Sequence, residues 1–215
     1  MVRAVLFDLD DTLIDSTRNY VKTIWRTCDS LGLPRPAEKL LHEPFVTWQD
    51  HVEAIFPAIA FEEFSTQYRQ HAHEIPYLAI PGALEVLDAL ADHLLGVVTN
   101  RGKSLCGLRM SQAGIAPERF DFILTLEDLP GAKPHPQALE PAVERMAPLP
   151  RNEILYVGDR PEDAQVAQSA GVRFVAVLTG VIGPAPFEAL GVPSTDILDS
   201  VSGLPCYLRK RMVTC

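Results

Sequence analysis

Three carboxylates directly after a short apolar segment place the strongest constraint on how this chain can fold. Residues 2–6 are mostly apolar and partly β-branched, which predicts a buried strand, and Asp8, Asp10 and Asp11 follow it. On an extended backbone, Asp8 and Asp10 point the same way because they are two residues apart. Acids crowded at a buried strand end repel one another, and a bound metal ion would relieve that repulsion. The alternative is a strand end that runs into solvent and starts a turn. This stretch alone leaves both interpretations open.

The size and charge of the chain limit the classes of protein to which it can belong. With 215 residues it can form one good core, or one core and a small additional domain. A content of 47% hydrophobic and 22% charged residues is typical of a soluble globular protein. The net charge of −9 and the absence of a long basic stripe argue against a nucleic-acid partner. No apolar run is long enough to span a bilayer, so we expect no membrane partner.

The cysteines and the N-terminal residues predict a cytoplasmic protein. Cys28, Cys106, Cys206 and Cys215 are widely spaced and form no CxxC pair. That spacing favours free thiols in a reducing compartment over a disulfide framework or a zinc site. The first residues lead directly into the strand before Asp8, so we expect no cleaved signal peptide.

Helical periodicity dominates residues 16–75. Tyr20, Ile24 and Cys28 recur at helix spacing, and Gly32 ends that run. Further helical pieces are predicted over residues 37–41, 46–56 and 61–73. We find no strand pattern in this block.

From residue 82 onward, short apolar strands alternate with helices. This alternation predicts an α/β fold with a Rossmann-like parallel sheet and helices on both faces. The predicted core comprises residues 1–15 and 76–215, and residues 16–75 are too long for a crossover, so they form an inserted α-helical cap. One local conflict is Pro141, which lies near the middle of a helix predicted over residues 136–146.

Polar residues collect where the predicted strands end, which is where ligands bind in sheets of this kind. After Asp8-x-Asp10 come, in chain order, Thr99-Asn100, then Lys133, then Gly158-Asp159 with Asp163 four residues on. This ordered set, with a helical insert of the right size, closely resembles the haloacid dehalogenase superfamily. Within it, the chain is most similar to the phosphoglycolate-phosphatase-like branch, and the resemblance runs from residue 4 to about residue 204.

The resemblance implies a role for each motif residue. Asp8 would be the nucleophile that becomes an aspartyl phosphate, and Asp10 the general acid and then the general base. Thr99, through its hydroxyl, and Asn100, through its backbone N–H, would bind the substrate phosphate. Lys133 would neutralise charge on the nucleophile and the phosphate.

The resemblance also implies a Mg²⁺ cofactor. Its ligands would be the Asp8 carboxylate, the Asp10 backbone carbonyl and Asp159, and Asp163 would orient a metal-bound water or Lys133. A hard dication with oxygen ligands suits phosphoryl transfer, which depends chiefly on positioning and charge neutralisation. We expect Asp8 and Asp159 to raise the pKa of Asp10 towards the range of a useful acid, against the pull of the metal.

The expected function is therefore a Mg²⁺-dependent phosphatase that acts on a small phosphorylated metabolite. The alternative is a β-phosphoglucomutase-like phosphomutase, which shares the nucleophile and the acid. A dehalogenase is disfavoured because such relatives usually lack an acid at the position of Asp10. A non-catalytic binding protein is disfavoured because no motif residue is missing. Asp11 stands where relatives often have glycine, so we expect an altered local turn.

The substrate and the oligomeric state, monomer or homodimer, stay open at this stage. A closing cap leaves little room for a macromolecule. Trp25 and Trp48 in the predicted cap are expected to belong to its own core rather than to form a platform for substrate.

Overall fold

The computed structural model describes residues 1–42 and 47–212. Its centre is a six-stranded parallel sheet in the order β5-β4-β1-β6-β7-β8, and a separate antiparallel pair joins β2 to β3. The strands are β1 Ala4–Phe7, β2 Ile14–Asp15, β3 Leu78–Ala79, β4 Leu94–Val98, β5 Phe122–Leu124, β6 Ile154–Gly158, β7 Arg173–Val177 and β8 Ile197–Leu198. This architecture confirms the predicted α/β fold.

Strand β1 lies at the centre of the sheet, and its sequence is apolar throughout. All four of its residues are fully buried. Val5 and Phe7 belong to the hydrophobic cluster on one face of the sheet, and Ala4 and Leu6 to the cluster on the other. Because successive strand residues point to opposite faces, a strand covered on both sides must be apolar at every position.

Ten α-helices are present among the described residues. They are α1 Thr17–Leu31, α2 Glu38–Leu41, α3 Trp48–Ile55, α4 Phe61–Glu74, α5 Ala83–Ala89, α6 Lys103–Gln112, α7 Glu140–Arg145, α8 Pro161–Ala170, α9 Ala185–Ala189 and α10 Leu204–Met212.

Helices α1 to α4 form the helical cap, which is inserted between β1 and β4. Its interior is a hydrophobic cluster of its own, with Ile24, Val52 and Phe64 fully buried. The short pair β2–β3 lies where the chain leaves the sheet and returns to it. Val46, the first residue of one predicted cap helix, lies outside the described residues, and α3 itself begins at Trp48.

The helix predicted over residues 136–146 is shorter than expected. In the structure α7 begins only at Glu140, so Pro141 occupies its first turn. A proline is tolerated there because the N–H that it lacks has no partner within the helix. The conflict seen in the sequence therefore came from placing the helix start four residues too early.

Two further observations concern the cysteines and the helices. Cys28, Cys106 and Cys206 are free thiols. Over residues 1–42 and 47–212, none of the helices combines the length and the apolar character that crossing a bilayer requires.

Candidate active site

The order of the strands brings the sequence motifs together. Because β1 lies between β4 and β6, the residues that follow these three parallel strands emerge side by side at one edge of the sheet. A cavity of about 590 Å³ opens there, between the sheet and the cap. Its lining includes all seven residues that the sequence singled out: Asp8, Asp10, Thr99, Asn100, Lys133, Asp159 and Asp163.

Lys133 is the buried cation at the floor of this cavity. Its Nζ donates hydrogen bonds to Asp8 Oδ1 at 2.7 Å, Asp163 Oδ1 at 2.6 Å and Tyr156 Oη at 2.7 Å. Burial lowers the pKa of Lys133, but the carboxylates of Asp163 and Asp8 outweigh that effect and hold the pKa above its ordinary value. The ammonium group therefore stays charged and joins the first motif to the fourth.

The positive charge near Asp8 is too small to offset the burial and the neighbouring acids that raise its pKa. Burial raises its pKa to about 7, although Lys133 pulls in the opposite direction, and the negative charges of Asp163 and Asp10 add to the increase. The site thus holds more acid than its lysine neutralises, which is the imbalance that a bound cation would correct.

Asp159 is a second buried acid of this site whose negative charge is not balanced by a nearby cation. Its pKa is raised well above the ordinary value by burial and by the charges of Asp8 and Asp11. Among the described side chains, its hydrogen-bond donor is Thr12, whose Oγ1 lies 3.4 Å from Asp159 Oδ1. Gly180 packs so closely against this carboxylate that a Cβ added there would collide with Asp159 Oδ2. The backbone is shaped around the acid, which remains largely without a positive partner.

These acids fit a divalent metal ion. One carboxylate oxygen from each of Asp8, Asp159 and Asp163 lies within 4.8 Å of the others. Oxygen donors of this kind suit Mg²⁺, which takes a few carboxylates and completes its shell with water and phosphate. Both oxygens of Asp163 already accept hydrogen bonds, Oδ1 from Lys133 and Tyr156 and Oδ2 from the Arg160 N–H, whereas the bond from Lys133 to Asp8 uses Oδ1 alone. Asp8 and Asp159 are therefore the carboxylates best able to hold the ion.

Asp10 is paired with an arginine that the sequence analysis did not select. Arg101 Nε lies 3.1 and 2.9 Å from the two carboxylate oxygens of Asp10, and Arg101 Nη2 and Ser16 Oγ also donate to Asp10 Oδ1. Burial raises the pKa of Asp10, but the charge and hydrogen bonds of Arg101 outweigh it, so the net shift is downward. The expected upward shift was wrong for this state of the site, because the nearest charge is a guanidinium rather than another acid.

The side chain of Asn100 holds the loop that carries Lys133. Asn100 Nδ2 donates to the Lys133 carbonyl at 3.0 Å, and the Lys133 N–H donates to Asn100 Oδ1 at 2.8 Å. Thr99 is buried, and its Oγ1 accepts a hydrogen bond from the backbone N–H of Arg101 at 3.0 Å. The second motif therefore positions both the lysine and the arginine.

Asp11 occupies the turn after the first motif, where relatives often have glycine. Its φ of 55° lies in the left-handed region, which costs most side chains energy but is tolerated by aspartate. Its carboxylate accepts hydrogen bonds from Ser16 N at 3.0 Å, Thr17 N at 2.9 Å and Thr17 Oγ1 at 2.6 Å. The side chain thus satisfies the N-terminus of α1, where the cap begins.

Three residues of the site escaped the sequence analysis. Arg101 directly follows Thr99-Asn100, so its position next to a motif was the available signal. Tyr156 lies in an apolar strand and looked like an ordinary core residue, and Ser16 looked like the start of a helix. Nothing in the local sequence pattern marks either hydroxyl as part of the site.

The cap contributes aromatic rings to the other side of the cavity. Tyr20, Trp48, Phe61 and Tyr68 belong to its lining, whereas Trp25 does not. Trp48 thus differs from the expectation for cap tryptophans, because it both packs on the cap core and faces the cavity. Trp25 stays within the cap, where its Nε1 donates to the Pro36 carbonyl at 3.2 Å.

The sequence of this chain is similar to that of known hydrolases. A family model described as haloacid dehalogenase-like hydrolase matches residues 5–177. Pyrophosphatase PpaX from Bacillus mycoides strain KBAB4 is 29% identical over 221 residues, covering 94% of this chain and 95% of the relative.

Two solved structures share the fold along nearly the whole chain. A predicted phosphoglycolate phosphatase from Haemophilus somnus 129PT superposes with a TM-score of 0.79 at 23% identity, covering 98% of each chain. CbbY from Rhodobacter sphaeroides, solved in complex with phosphate, superposes with a TM-score of 0.77 at 17% identity, covering 95% of this chain and 96% of its own.

Proposed function

This chain belongs to the haloacid dehalogenase-like hydrolases, and from that premise we propose that it is a Mg²⁺-dependent phosphatase of a small phosphorylated metabolite. The reaction passes through an aspartyl phosphate on Asp8. Residues 1–15 and 76–215 act as the catalytic core, and residues 16–75 act as the cap that covers the substrate.

The contact between Lys133 and Asp8 is the observation that carries this proposal. A buried ammonium group 2.7 Å from a carboxylate oxygen keeps the nucleophile oriented and offers positive charge where phosphate oxygens gather. Asp163 and Tyr156 hold the same ammonium group from the other side. Phosphoryl transfer benefits from this kind of fixed positive charge more than from covalent machinery.

In the first step, a carboxylate oxygen of Asp8 attacks the phosphorus atom of the substrate. The bond between phosphorus and the ester oxygen breaks, and the leaving oxygen takes a proton from Asp10. Thr99 and Asn100 hold the phosphate oxygens while Lys133 offsets their charge. The products of this step are the free alcohol and a phosphoryl group bound to Asp8.

In the second step, a water molecule attacks the same phosphorus atom. Asp10, now a carboxylate, accepts a proton from that water, and the bond between phosphorus and Asp8 breaks. Inorganic phosphate leaves, and Asp8 returns to its starting form. Asp10 thus serves both steps, giving a proton in the first and taking one from the water in the second.

Asp8, the Asp10 backbone carbonyl and Asp159 would hold the Mg²⁺ ion. When bound, the ion supplies positive charge that lets a dianionic phosphate approach an acidic site. The raised pKa values of Asp8 and Asp159 support this assignment, since both carboxylates lack sufficient positive charge in the protein alone.

The names of the relatives suggest the first substrates to test. Inorganic pyrophosphate is suggested by the PpaX relative and phosphoglycolate by one structural neighbour. Both are small enough for a cavity of about 590 Å³ beneath a cap. Closure of the cap would exclude bulk water while the aspartyl phosphate forms.

The deciding experiment is a screen of phosphorylated metabolites that measures release of inorganic phosphate in the presence of Mg²⁺. The Asp8→Asn variant, prepared in the same way, provides the blank. We expect turnover by the native protein and none by the variant. A mutase would instead move phosphate between hydroxyl groups of a sugar phosphate and release little of it. Equal turnover by the two proteins would exclude Asp8 as the nucleophile.

A further inference from the structure

The cap side of the cavity is built from aromatic rings that contact one another. The ring centroids of Trp48 and Tyr68 lie 4.7 Å apart, and Tyr20 meets Trp48 edge-on at 6.2 Å. All three line the cavity whose floor contains Asp8 and Asp10. One continuous space therefore joins the proposed nucleophile to an aromatic wall.

The polar atoms of these rings are already used within the protein. Trp48 Nε1 donates to Ser65 Oγ at 3.1 Å, and Tyr68 Oη lies 3.3 Å from Tyr77 Oη. The hydroxyl of Tyr20 pairs with His51 Nε2. What remains for a ligand on this wall is ring carbon, which favours apolar or stacked contacts over hydrogen bonds to an anion.

The positive side chains that line the described part of the cavity all have acidic neighbours. Arg101 pairs with Asp10, and Lys133 with Asp8 and Asp163. The two remaining pairs are Arg160 with Glu162 at 3.4 Å and Arg69 with Glu62 at 4.0 Å. A leaving group that was itself a phosphate would therefore compete with these acids for a cation on the protein.

The volume of the cavity also exceeds what two phosphoryl groups need. Cavities of about 300–1,000 Å³ take organic ligands with several rings or chains, and this one measures about 590 Å³. Once a phosphoryl group lies against Asp8, the space that remains extends towards Trp48.

We propose that the physiological substrate is an organic phosphate monoester whose alcohol carries a planar ring, and that Trp48 stacks against this ring. The proposal rests on the phosphatase function proposed above and narrows its substrate class. It disfavours inorganic pyrophosphate, the substrate that the name of one relative suggests, because the wall opposite the nucleophile consists mainly of aromatic rings and the arginine on it, Arg69, has an acidic neighbour.

A matched pair of substrates tests the proposal. Benzyl phosphate and propyl phosphate release primary alcohols of similar basicity, so they differ chiefly in the ring. With Mg²⁺ present, we expect kcat/KM for benzyl phosphate to exceed that for propyl phosphate by about fivefold or more, the size of one aromatic contact. Inorganic pyrophosphate should be hydrolysed less efficiently than benzyl phosphate.

Two tryptophan variants locate the ring site. Trp48→Leu should reduce the ratio of the two kcat/KM values to near one, and Trp48→Phe should retain part of it. Trp25→Leu is the control, because Trp25 lies in the same cap but does not line the cavity. A ratio measured on one preparation is independent of how much of the protein is correctly folded, so a partly unstable variant still gives an answer.

The possible outcomes separate this inference from the proposed function. Equal efficiency for benzyl and propyl phosphate, or faster hydrolysis of pyrophosphate, would overturn the substrate class while leaving a phosphatase. Persistence of the preference in Trp48→Leu, or its loss in Trp25→Leu, would overturn the assignment to Trp48. Absence of phosphate release from these and all other phosphorylated compounds would overturn the proposed function, and this inference with it.

Discussion

Arg101 donates hydrogen bonds from Nε to both carboxylate oxygens of Asp10, at 3.1 and 2.9 Å. The guanidinium is largely buried and also lies over the ring of Tyr77, 5.7 Å from its centroid. A general acid must be protonated when the leaving group departs. The pair with Arg101 instead lowers the pKa of Asp10 and keeps its carboxyl group ionised. We infer that substrate binding has to separate Arg101 from Asp10 before the leaving group can be protonated.

Replacing Arg101 should move the pH dependence of the reaction. In Arg101→Gln the charge that holds the pKa of Asp10 low is gone, so this pKa rises and Asp10 stays protonated to higher pH. The basic limb of the kcat/KM profile should therefore shift to higher pH. Steady-state rates of phosphate release, measured from about pH 5 to 10, check this expectation.

Arg119→Gln is the control for loss of one positive charge. Arg119 is paired with Asp88 and does not line the cavity. Its profile should match that of the native protein. An unmoved or downward-shifted basic limb in Arg101→Gln would contradict the role given to the pair.

Tyr156 should act as a positioning residue for Lys133. Its Oη lies 2.7 Å from Lys133 Nζ, 2.9 Å from Asp163 Oδ1 and 3.1 Å from the Val98 carbonyl. Tyr156→Phe removes only this oxygen, which leaves the lysine less firmly aimed at Asp8. We expect kcat to fall about tenfold with little change in KM, because Lys133 matters most for charge that gathers during phosphoryl transfer.

Tyr207→Phe serves as the matched control for Tyr156→Phe. Tyr207 is another buried tyrosine, on α10, and it is not part of the cavity lining. Kinetics and thermal unfolding should be measured for both variants. A kcat equal to that of the native protein in Tyr156→Phe would show that Asp163 and Asp8 alone suffice to orient the lysine.

Asp8→Asn should make the metal-free protein more stable at alkaline pH. The pKa of Asp8 is about 7 in the folded protein, above its ordinary value of 3.8. Ionisation of Asp8 therefore costs stability progressively as the pH rises from about 4 to about 7, and the full cost is present above pH 7. Asparagine cannot ionise, and its Oδ1 can still accept the hydrogen bond from Lys133.

Thermal unfolding in chelator tests this prediction. At pH 8 the variant should melt higher than the native protein by about 2–4 °C for each kcal/mol recovered, and the difference should shrink near pH 5. Added Mg²⁺ should raise the melting temperature of the native protein more than that of the variant. A lower melting temperature for the variant at pH 8 would mean that the pair with Lys133 outweighs the cost of burying Asp8.

Metal removal should distinguish the roles of the two acids of the fourth motif. Chelator should abolish phosphate release, and excess Mg²⁺ should restore it. In Asp159→Asn the concentration of Mg²⁺ for half-maximal activity should rise about tenfold or more, because a ligand is lost. Asp163→Asn should instead lower kcat at saturating Mg²⁺, since Asp163 holds Lys133. Activity that persists in chelator would exclude a metal-dependent reaction.

Sequence reasoning was most successful where structure depends on near neighbours in the chain. Helix α8 is an example, since Pro161 begins it and Gly171, at a φ of 65°, ends it, and both residue types favour these positions through their own backbone preferences. The start of α7 shows the limit, because Pro141 could be read as a flaw in a long helix or as the first turn of a short one. The structure has the short helix, with Pro141 in its first turn.

The sequence by itself determined that apolar strands end in acids, hydroxyl groups and a lysine, because strand burial and chain order can be read from local pattern alone. Only the tertiary structure decided that Arg101 meets Asp10, that the hydroxyl of Tyr156 meets Lys133, and that Trp48 rather than Trp25 faces the cavity. Each of these contacts joins residues from different elements. Their formation depends on strand register, helix rotation and side-chain direction, which are set when the whole chain packs.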